Sequence, residues 1–297
     1  MTAFLFPGQG SQAPGMGADF RDSSAAARDI FDRAVAMTGT AWLDTVFHGT
    51  DAEVADTRMA QPALLTVEVA IAAHLAAIGI TPSVCAGHSL GEYSALVASG
   101  ALAFEEAFRV VQERARLMSE NVPEGAMAAV IGLDASAIEA ALPEGAQVAN
   151  YNGPGQTIIS GAVAALDAAE QTLKDAGAKR VMRLNVSGPF HSEYMRPASE
   201  AFRDFLKTAV LNAPKTRFVS SVSGAEEVEP ERIRGLLAGQ LCAPVRWTEV
   251  MAALGPVEAL EVGPGRVLQG LARRTGQAPL VTPAGTFDAI TASGEQA

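Results

Sequence analysis

Ala86-Gly87-His88-Ser89-Leu90-Gly91-Glu92-Tyr93 is the stretch of sequence that decides the fold. Before it, residues 80–86 form a short apolar run interrupted by Pro82, which is typical of a strand within an α/β sheet. After it, apolar residues recur at helical spacing as far as Gly100. Gly-x-Ser-x-Gly between a strand and a helix is the pattern of a nucleophile elbow, a sharp turn that exposes a serine. We therefore predict that Ser89 is a nucleophile at the start of a helix.

The two glycines of this pattern follow from the tightness of the turn. A β-carbon at Gly87 or Gly91 would collide with the neighbouring strand or helix. The same turn puts the Ser89 hydroxyl beside the backbone N–H of Leu90, at the positive end of the helix dipole. Because this string of five residues also occurs by chance, the strand before it and the helix after it are what favour a nucleophile.

Composition and charge limit the possible functions of the chain. Its 297 residues suffice for one large domain with a smaller inserted one. With 22 basic and 33 acidic residues the net charge is −11, which argues against nonspecific nucleic-acid binding. No apolar run approaches the length of a membrane span, and we expect no signal peptide. Two cysteines, Cys85 and Cys242, cannot form a disulfide framework, so we expect a cytoplasmic protein.

The first loop imitates a dinucleotide-binding fingerprint. It contains Gly8, Gly10 and Ala13 at the required spacing, but Pro14 and the glycines after it prevent the immediate helix that such a site needs. We interpret it as a loop whose backbone closely approaches another part of the core and from which the Gln9 side chain projects.

Two helices flank the elbow in the predicted order of elements. Gln61-Pro62 opens a long apolar helix that ends at Ile78 and is expected to be buried on both faces. A second helix, over residues 104–119, has one apolar stripe, and Arg114 lies on or beside it. An arginine in that position either pairs with an anion or extends its head into water, and the spacing leaves both open.

The pattern changes between residues 125 and 187. Strand, helix, strand, strand, helix and strand follow one another there, which is the ferredoxin-like order. We therefore predict the α/β class: an α/β-hydrolase-like core with a parallel sheet, formed by residues 1–124 and 188–297, and an inserted ferredoxin-like subdomain at 125–187.

A nucleophilic serine needs a base, and four histidines are available. His48 lies in a polar loop, His74 lies in the apolar helix, and His88 should point away from Ser89 although it could support the site. His191, in a Gly-Pro loop that leaves a strand, is the natural base. No HExxH pattern or paired Cys/His spacing exists, so we expect no metal.

Six motifs in order resemble those of malonyl-CoA:acyl carrier protein transacylases, over residues 4 to about 282. Six motifs in one order are far more specific than the elbow alone. They are Phe6-Pro-Gly-Gln9-Gly-Ser-Gln12, Gly87-His-Ser89-Leu-Gly-Glu-Tyr93, Gln112-x-Arg114-x-x-Leu-Met118, Asn150-Tyr-Asn152-x-Pro-Gly-Gln156, Gly188-Pro-Phe-His191-Ser192 and Gln240-Leu-x-x-Pro-Val-x-Trp247.

This resemblance implies a role for each matching position. Ser89 corresponds to the nucleophile and His191 to the general base of a Ser-His dyad. Gln9 and Leu90 correspond to the two backbone N–H donors of the oxyanion hole. The backbone carbonyl of Gln240 corresponds to the group that orients the histidine.

The resemblance also implies what the enzyme binds. Arg114 corresponds to the arginine that pairs with the malonyl carboxylate, and Phe190 and Leu90 fit selection of malonyl over methylmalonyl groups. The implied reaction moves a malonyl group from malonyl-CoA to the phosphopantetheine thiol of acyl carrier protein, through a malonyl-serine in ping-pong order, for fatty-acid synthesis. The resemblance further implies a monomer, and we expect no cofactor and no membrane partner.

Other functions remain open from the sequence. A polyketide-pathway acyltransferase would share every motif, a serine thioesterase or esterase would share the elbow, and a carrier-binding scaffold would lack acylation of Ser89. A basic run near the end of the insert is either a solvated surface or a docking site for the acidic carrier. It consists of Lys174, Lys179, Arg180 and Arg183, followed on the next helix by Arg196, Arg203 and Lys207.

Overall fold

The structure is a computed structural model that describes residues 1–120, 122–186, 188–275 and 279–294. Within these residues the strands form a parallel sheet and an antiparallel sheet. In chain order the strands are β1 (Thr2–Phe6), β2 (Val84–Gly87), β3 (Ala126–Ile131), β4 (Ala146–Gly153), β5 (Gln156–Gly161), β6 (Arg180–Arg183), β7 (Arg217–Val219), β8 (Glu258–Glu261) and β9 (Leu280–Pro283). The mixed α/β class predicted from the sequence is confirmed.

Helices cover both sheets, and a short 3₁₀ turn at Glu193–Met195 precedes the tenth of them. In chain order the helices are α1 (Ala18–Ser23), α2 (Ala25–Thr38), α3 (Thr40–His48), α4 (Asp51–Ala55), α5 (Thr57–Ala77), α6 (Gly91–Ala98), α7 (Phe104–Leu117), α8 (Ala135–Ala141), α9 (Val163–Asp175), α10 (Arg196–Leu206), α11 (Pro230–Gly239), α12 (Trp247–Leu254), α13 (Val267–Thr275) and α14 (Phe287–Gly294).

The parallel sheet has the order β7-β2-β1-β8-β9 and is buried on both faces. Along β1 the side chains alternate: Phe4 and Phe6 join the larger core cluster, while Ala3 and Leu5 join a second cluster on the opposite face. Helices α12 and α13 supply much of that second cluster. A strand buried on both faces reads as a continuous apolar run, which explains the sequence of β1.

Strand register brings two loops of the site together. Phe6 pairs with Gly87, so β1 and β2 end at the same level of the sheet. Because the carboxyl ends of parallel strands lie at one edge, the loop that carries Gln9 and the elbow that carries Ser89 leave the sheet side by side.

The antiparallel sheet has the order β4-β5-β3-β6. On one face, Val130 packs with Leu166 of α9 in a small core of its own. On the other face, Met127 and Ile158 belong to the main core. The antiparallel sheet is therefore packed against the rest of the protein through one full face. Ser187, the last residue of the predicted insert, lies outside the described residues.

Several predicted boundaries were wrong by a few residues. Helix α5 begins at Thr57 instead of Gln61, because the Asp56 side chain accepts a hydrogen bond from the Arg58 N–H and caps an earlier start. Pro62 consequently lies inside the helix. The strand predicted over 80–86 is β2, which begins at Val84. The strand predicted over 180–186 is β6, which ends at Arg183, and residues 184–186 continue along the cleft described below.

The expectation that no apolar run approaches the length of a membrane span was wrong for helix α5, which is long and apolar enough to cross a membrane by length and composition. However, 78% of its most apolar window is buried inside the protein. It contacts α2, α6 and α7, so its apolar surface is explained by packing in the core.

Candidate active site

Ser89 stands at the turn between β2 and α6 in a strained conformation. Its φ is 52°, and in the described part of the chain the other non-glycine residue with positive φ is His191, at 58°. A β-carbon added to Gly87 would lie 2.0 Å from the Gly91 carbonyl carbon, and one added to Gly91 would lie 2.1 Å from a carbonyl oxygen of β1. The predicted need for glycine at both positions is confirmed. Strain that the packing enforces at two polar residues is typical of a functional site.

Ser89 and His191 are in direct contact. The Ser89 Oγ lies 2.8 Å from the His191 Nε2. The other ring nitrogen, Nδ1, lies 2.9 Å from the Gln240 carbonyl oxygen and 3.1 Å from that of Ala243. Since carbonyl oxygens can only accept, Nδ1 carries the proton, and Nε2 is left free to accept the serine proton.

The surroundings of His191 favour its neutral form. Burial, and secondarily the positive charge of Arg114, lower the pKa of the imidazole to about 3. The Gln240 carbonyl acts in the opposite direction. An imidazole that is neutral at physiological pH can act as a base as soon as substrate arrives.

Arg114 is buried beside the serine, with 1% of its surface exposed. Its Nη2 donates to the Ser89 Oγ at 3.1 Å, its Nη1 to the Gln61 Oε1 at 2.7 Å, and its Nε to the Gln240 Oε1 at 3.1 Å. All three acceptors are neutral, and within the described residues no carboxylate oxygen lies within ion-pair distance. Burial accordingly lowers the pKa of the guanidinium from its usual value. A buried cation without an anionic partner is costly, and an anionic ligand would relieve that cost.

The loop after β1 approaches the elbow closely. A β-carbon added to Gly8 would lie 2.7 Å from the His88 carbonyl oxygen, which confirms the predicted close approach of backbone. The Gln9 side chain donates to the Thr57 Oγ1 at 3.1 Å. Among the described residues neither the backbone N–H of Gln9 nor that of Leu90 donates a hydrogen bond. Two unused donors therefore lie in the loops on either side of Ser89.

A cleft opens above these residues, and the antiparallel sheet contributes to its lining. Phe190 lines it and is 5% exposed, whereas the Leu90 side chain lies in the main core and does not reach the cleft. Residues on its surface include Gln9, His88, Ser89, Arg114, Phe190 and His191, and also Asn150 of β4, Ile158 of β5, and Leu184 and Val186 after β6. The sequence-predicted residues thus meet in one cleft, apart from the Leu90 side chain and Gln240, which lies behind His191.

Comparison with known proteins gives one consistent family. Residues 3–287 match the acyl transferase domain. The chain belongs to the acyl transferase domain family. It is 44% identical to the malonyl CoA-acyl carrier protein transacylase of Bacillus subtilis, over 92% of this chain and 89% of the relative. The transacylase of Escherichia coli K12 is 43% identical, over 92% of each chain.

Solved acyltransferase structures agree with this assignment. An acyl carrier protein S-malonyltransferase from Vibrio cholerae superposes with a TM-score of 0.94 at 38% identity, over 98% of this chain and 99% of the other. A type II PKS acyl-carrier protein in complex with its malonyl-transacylase gives the same TM-score and identity, over 100% and 99%. The protein is an acyltransferase enzyme.

The sequence interpretation missed two residues of this acyltransferase site. Gln61 is fully buried; besides accepting from Arg114, its Nε2 lies 3.4 Å from the Gln9 Oε1. Glu92 is fully buried in α6, and its Oε2 accepts from the Gln240 Nε2 at 2.6 Å. A useful signal for Glu92 was an ionisable residue inside an almost wholly apolar helix.

His88 connects the elbow with the antiparallel sheet. The His88 Nε2 lies 2.9 Å from the Asn152 Oδ1 and 3.4 Å from the Asn150 Nδ2, which ties the elbow to β4. Its ring packs against Trp247. His74, by contrast, bonds Ser24 far from the cleft, as expected of a core histidine. No group of three or more potential metal ligands occurs within residues 1–120, 122–186, 188–275 and 279–294.

Proposed function

We propose that this acyltransferase moves a malonyl group from malonyl-CoA to the phosphopantetheine thiol of an acyl carrier protein, through a malonyl-serine at Ser89. The observation that carries the proposal is Arg114. It is a buried cation 3.1 Å from the nucleophile, and among the described residues it lacks an ion-pair partner. The carboxylate of a malonyl group would supply that partner through paired hydrogen bonds. The names of the relatives in Bacillus subtilis and Escherichia coli support the same substrate.

The first half-reaction acylates the serine. The Ser89 Oγ attacks the thioester carbonyl carbon while the His191 Nε2 takes the hydroxyl proton. The carbonyl oxygen becomes an oxyanion that accepts from the N–H groups of Gln9 and Leu90. When the C–S bond breaks, the CoA sulfur leaves with the proton from His191, and the Gln240 carbonyl holds the imidazole throughout.

The second half-reaction runs the same steps with a new nucleophile. The carrier thiol gives its proton to His191 and attacks the malonyl-serine ester, and Ser89 leaves with that proton. The enzyme is then restored, and the kinetics are ping-pong. Transfer instead of hydrolysis requires that water be excluded, and the near-complete burial of His191 and Arg114 supports this.

Selection among acyl groups depends on the walls of the cleft. Phe190 directly precedes the base and lines the cleft, so it would crowd an α-methyl branch. We propose that it favours malonyl over methylmalonyl groups. Leu90 contributes to this selection only through packing behind the serine, since its side chain is in the core.

A transfer assay tests the proposed function. The protein is mixed with malonyl-CoA and a reduced phosphopantetheinylated carrier, and malonyl-carrier and free malonate are both quantified. We expect malonyl-carrier as the main product. Free malonate released equally fast with and without carrier would identify a thioesterase and refute the transferase proposal.

The carrier itself is proposed to dock on the edge strand β6. Lys174 pairs with Glu170 and Arg183 with Asp167, whereas Lys179 and Arg180 have no ion-pair partner in the part of the chain that the structure describes. The strand runs directly into residues 184–186, and Leu184 and Val186 there line the cleft. A cationic edge beside the cleft suits an acidic partner.

Charge reversal tests this docking surface. In Lys179→Glu combined with Arg180→Glu, we expect a higher KM for the carrier at low salt and an unchanged rate of serine acylation. The same reversal at Arg203 of α10 and at Lys207, which directly follows this helix, serves as the control. Unchanged transfer by the β6 variant at low salt would exclude this strand as the docking surface.

A polyketide pathway is the alternative to fatty-acid synthesis. One solved relative is in complex with a type II PKS acyl-carrier protein, which favours this possibility specifically. The same transfer assay distinguishes the two when carriers of both kinds are compared. For either pathway we propose a cytoplasmic monomer that uses no cofactor beyond its two substrates.

We also propose the finer description of the fold. The order β4-β5-β3-β6 with α8 and α9 on one face supports a ferredoxin-like subdomain at residues 125–187. The parallel sheet with a nucleophile elbow after β2 supports an α/β-hydrolase-like core at 1–124 and 188–297.

A further inference from the structure

Glu92 is a buried carboxylate that the proposed mechanism does not use. It lies three residues after the nucleophile in α6 and has no exposed surface. Its Oε2 accepts from the Gln240 Nε2 at 2.6 Å and from the Ser221 Oγ at 2.8 Å. Burying a carboxylate is unfavourable, so its presence beneath the site requires a reason.

The contacts of Gln240 indicate that Glu92 determines which way the Gln240 amide is oriented. A glutamine amide has one donating end and one accepting end, and either could face the arginine. The Gln240 Nε2 donates to the Glu92 Oε2 and, at 3.1 Å, to the Ser89 carbonyl oxygen. Both of these partners accept, so the nitrogen end must face them. The Oε1 end is then the one that meets the Arg114 Nε, at 3.1 Å.

The opposite orientation would disturb the arginine. If the amide turned over, its N–H₂ would face the Nε–H of Arg114, donor against donor in a buried site. Arg114 would lose one of its three acceptors and move away from the Ser89 hydroxyl. The bonds that the Gln240 Nε2 donates to Glu92 and to the Ser89 carbonyl oxygen are what make the opposite orientation unfavourable.

We propose that Glu92 is a positioning residue: through the amide of Gln240 it holds Arg114 in the orientation that receives a carboxylate-bearing acyl group. The inference rests on the proposed function and deepens it. It makes Glu92 a determinant of acyl preference that acts on the substrate through three successive hydrogen bonds, from Glu92 to Gln240, to Arg114 and to the acyl carboxylate. An acyl group without a carboxylate depends much less on Arg114, so the ratio between malonyl and acetyl transfer is the diagnostic quantity.

Two variants separate the acceptor from the charge. Glu92→Gln retains an oxygen that can accept from Gln240 and Ser221; it removes the charge and puts an N–H₂ group in place of the Oε1, which has no hydrogen-bond partner among the described residues. Glu92→Leu has similar size and no acceptor. We expect Glu92→Leu to lower kcat/KM for malonyl-CoA, relative to acetyl-CoA, by roughly tenfold or more, the usual effect of losing a hydrogen bond to a charged group. Glu92→Gln should keep most of the wild-type ratio.

Glu68 offers a matched control. It is equally buried and accepts from the Ser94 hydroxyl at 2.5 Å, and among the described residues it has no bond to Gln240 or Arg114. Glu68→Leu therefore removes a buried carboxylate close to α6 without reaching the arginine. We expect it to lower thermal stability and to leave the malonyl-to-acetyl ratio unchanged.

The outcomes separate this inference from the proposed function. A wild-type protein that does not transfer malonyl groups would refute the proposed function. A wild type that prefers malonyl-CoA, with an unchanged ratio in Glu92→Leu, would refute only the inference. An equal fall of the malonyl-to-acetyl ratio in Glu92→Gln and Glu92→Leu would also overturn the inference, since the charge of Glu92 and not the orientation of the Gln240 amide would then determine the ratio.

If Glu92→Leu does not fold, Gln240→Met tests the same link from its other end. This variant removes the amide that Glu92 orients, so the malonyl-to-acetyl ratio should fall. Adding Glu92→Gln to it should change the ratio no further. An unchanged ratio in Gln240→Met would overturn the inference.

Discussion

Replacing Arg114 with alanine tests the assignment of the acyl carboxylate in most detail. The guanidinium is 1% exposed, so its pair with a malonyl carboxylate forms out of contact with bulk water. Removing one partner of such a buried pair costs about 3–5 kcal/mol, because the other charge is left unpaired. At 1.36 kcal/mol per tenfold change in rate, kcat/KM for malonyl-CoA should fall roughly 150- to 5,000-fold.

Acetyl-CoA provides the internal comparison for this variant. An acetyl group has no carboxylate, so Arg114→Ala should leave acetyl transfer unchanged or raise it. Both rates are measured under the same conditions, by the formation of acylated carrier with saturating carrier. The ratio of malonyl to acetyl transfer within one variant cancels any effect that the lost bonds to Gln61 and Gln240 have on the reactivity of the serine, since both substrates use the same serine.

Arg116 is the matched control on the same helix. It is exposed and pairs with Glu113 and Glu120, away from the cleft. Arg116→Ala should change kcat/KM by no more than a small factor for either malonyl-CoA or acetyl-CoA. Equal losses of malonyl and acetyl transfer in Arg114→Ala would refute the role proposed for this arginine.

Three further predictions follow from the site. Burial and Arg114 lower the pKa of His191 to about 3, and a protonated imidazole cannot act as a base, so the acid limb of the pH profile of kcat/KM should lie well below pH 6.5. In acetyl transfer by Arg114→Ala this limb should move to higher pH, because the positive charge that lowers the pKa is gone. A limb at the wild-type pH would contradict the electrostatic cause. Gly91→Ala should lower the free energy of unfolding by about 1–3 kcal/mol or more in a denaturant titration, whereas Gly235→Ala, which has open space around it, should not; equal effects would contradict the crowding argument. Phe190→Ala should raise methylmalonyl transfer relative to malonyl transfer by roughly tenfold, and an unchanged ratio would remove Phe190 as a specificity residue.

The elements that the sequence predicted well are those with strong local signals. The elbow follows from two glycines whose added β-carbons would overlap backbone, and the apolar stripe of α7 correctly placed Arg114 against the core. The start of α5 was misplaced because Pro62 is a conspicuous signal, while the capping bond from Asp56 depends on the conformation of the loop before it.

The polar contacts of the site depend on distances between remote parts of the chain. The spacing left Arg114 with two alternatives, an anion or water, and only burial decides between them. Gln61 and Glu92 were missed because their partners are 53 and 148 residues away, so no local pattern links them. The helical periodicity of apolar residues identifies the buried face of a helix, but it does not identify which polar groups meet behind that face.

The central claim is that Ser89 carries the acyl group between two thiols. Its most direct test is the intact mass of the protein after brief incubation with malonyl-CoA, beside Ser89→Ala, followed by addition of reduced carrier protein. We expect a mass gain of one malonyl group that requires Ser89 and that disappears onto the carrier. No gain in the wild type, or an equal gain in Ser89→Ala, would contradict the account.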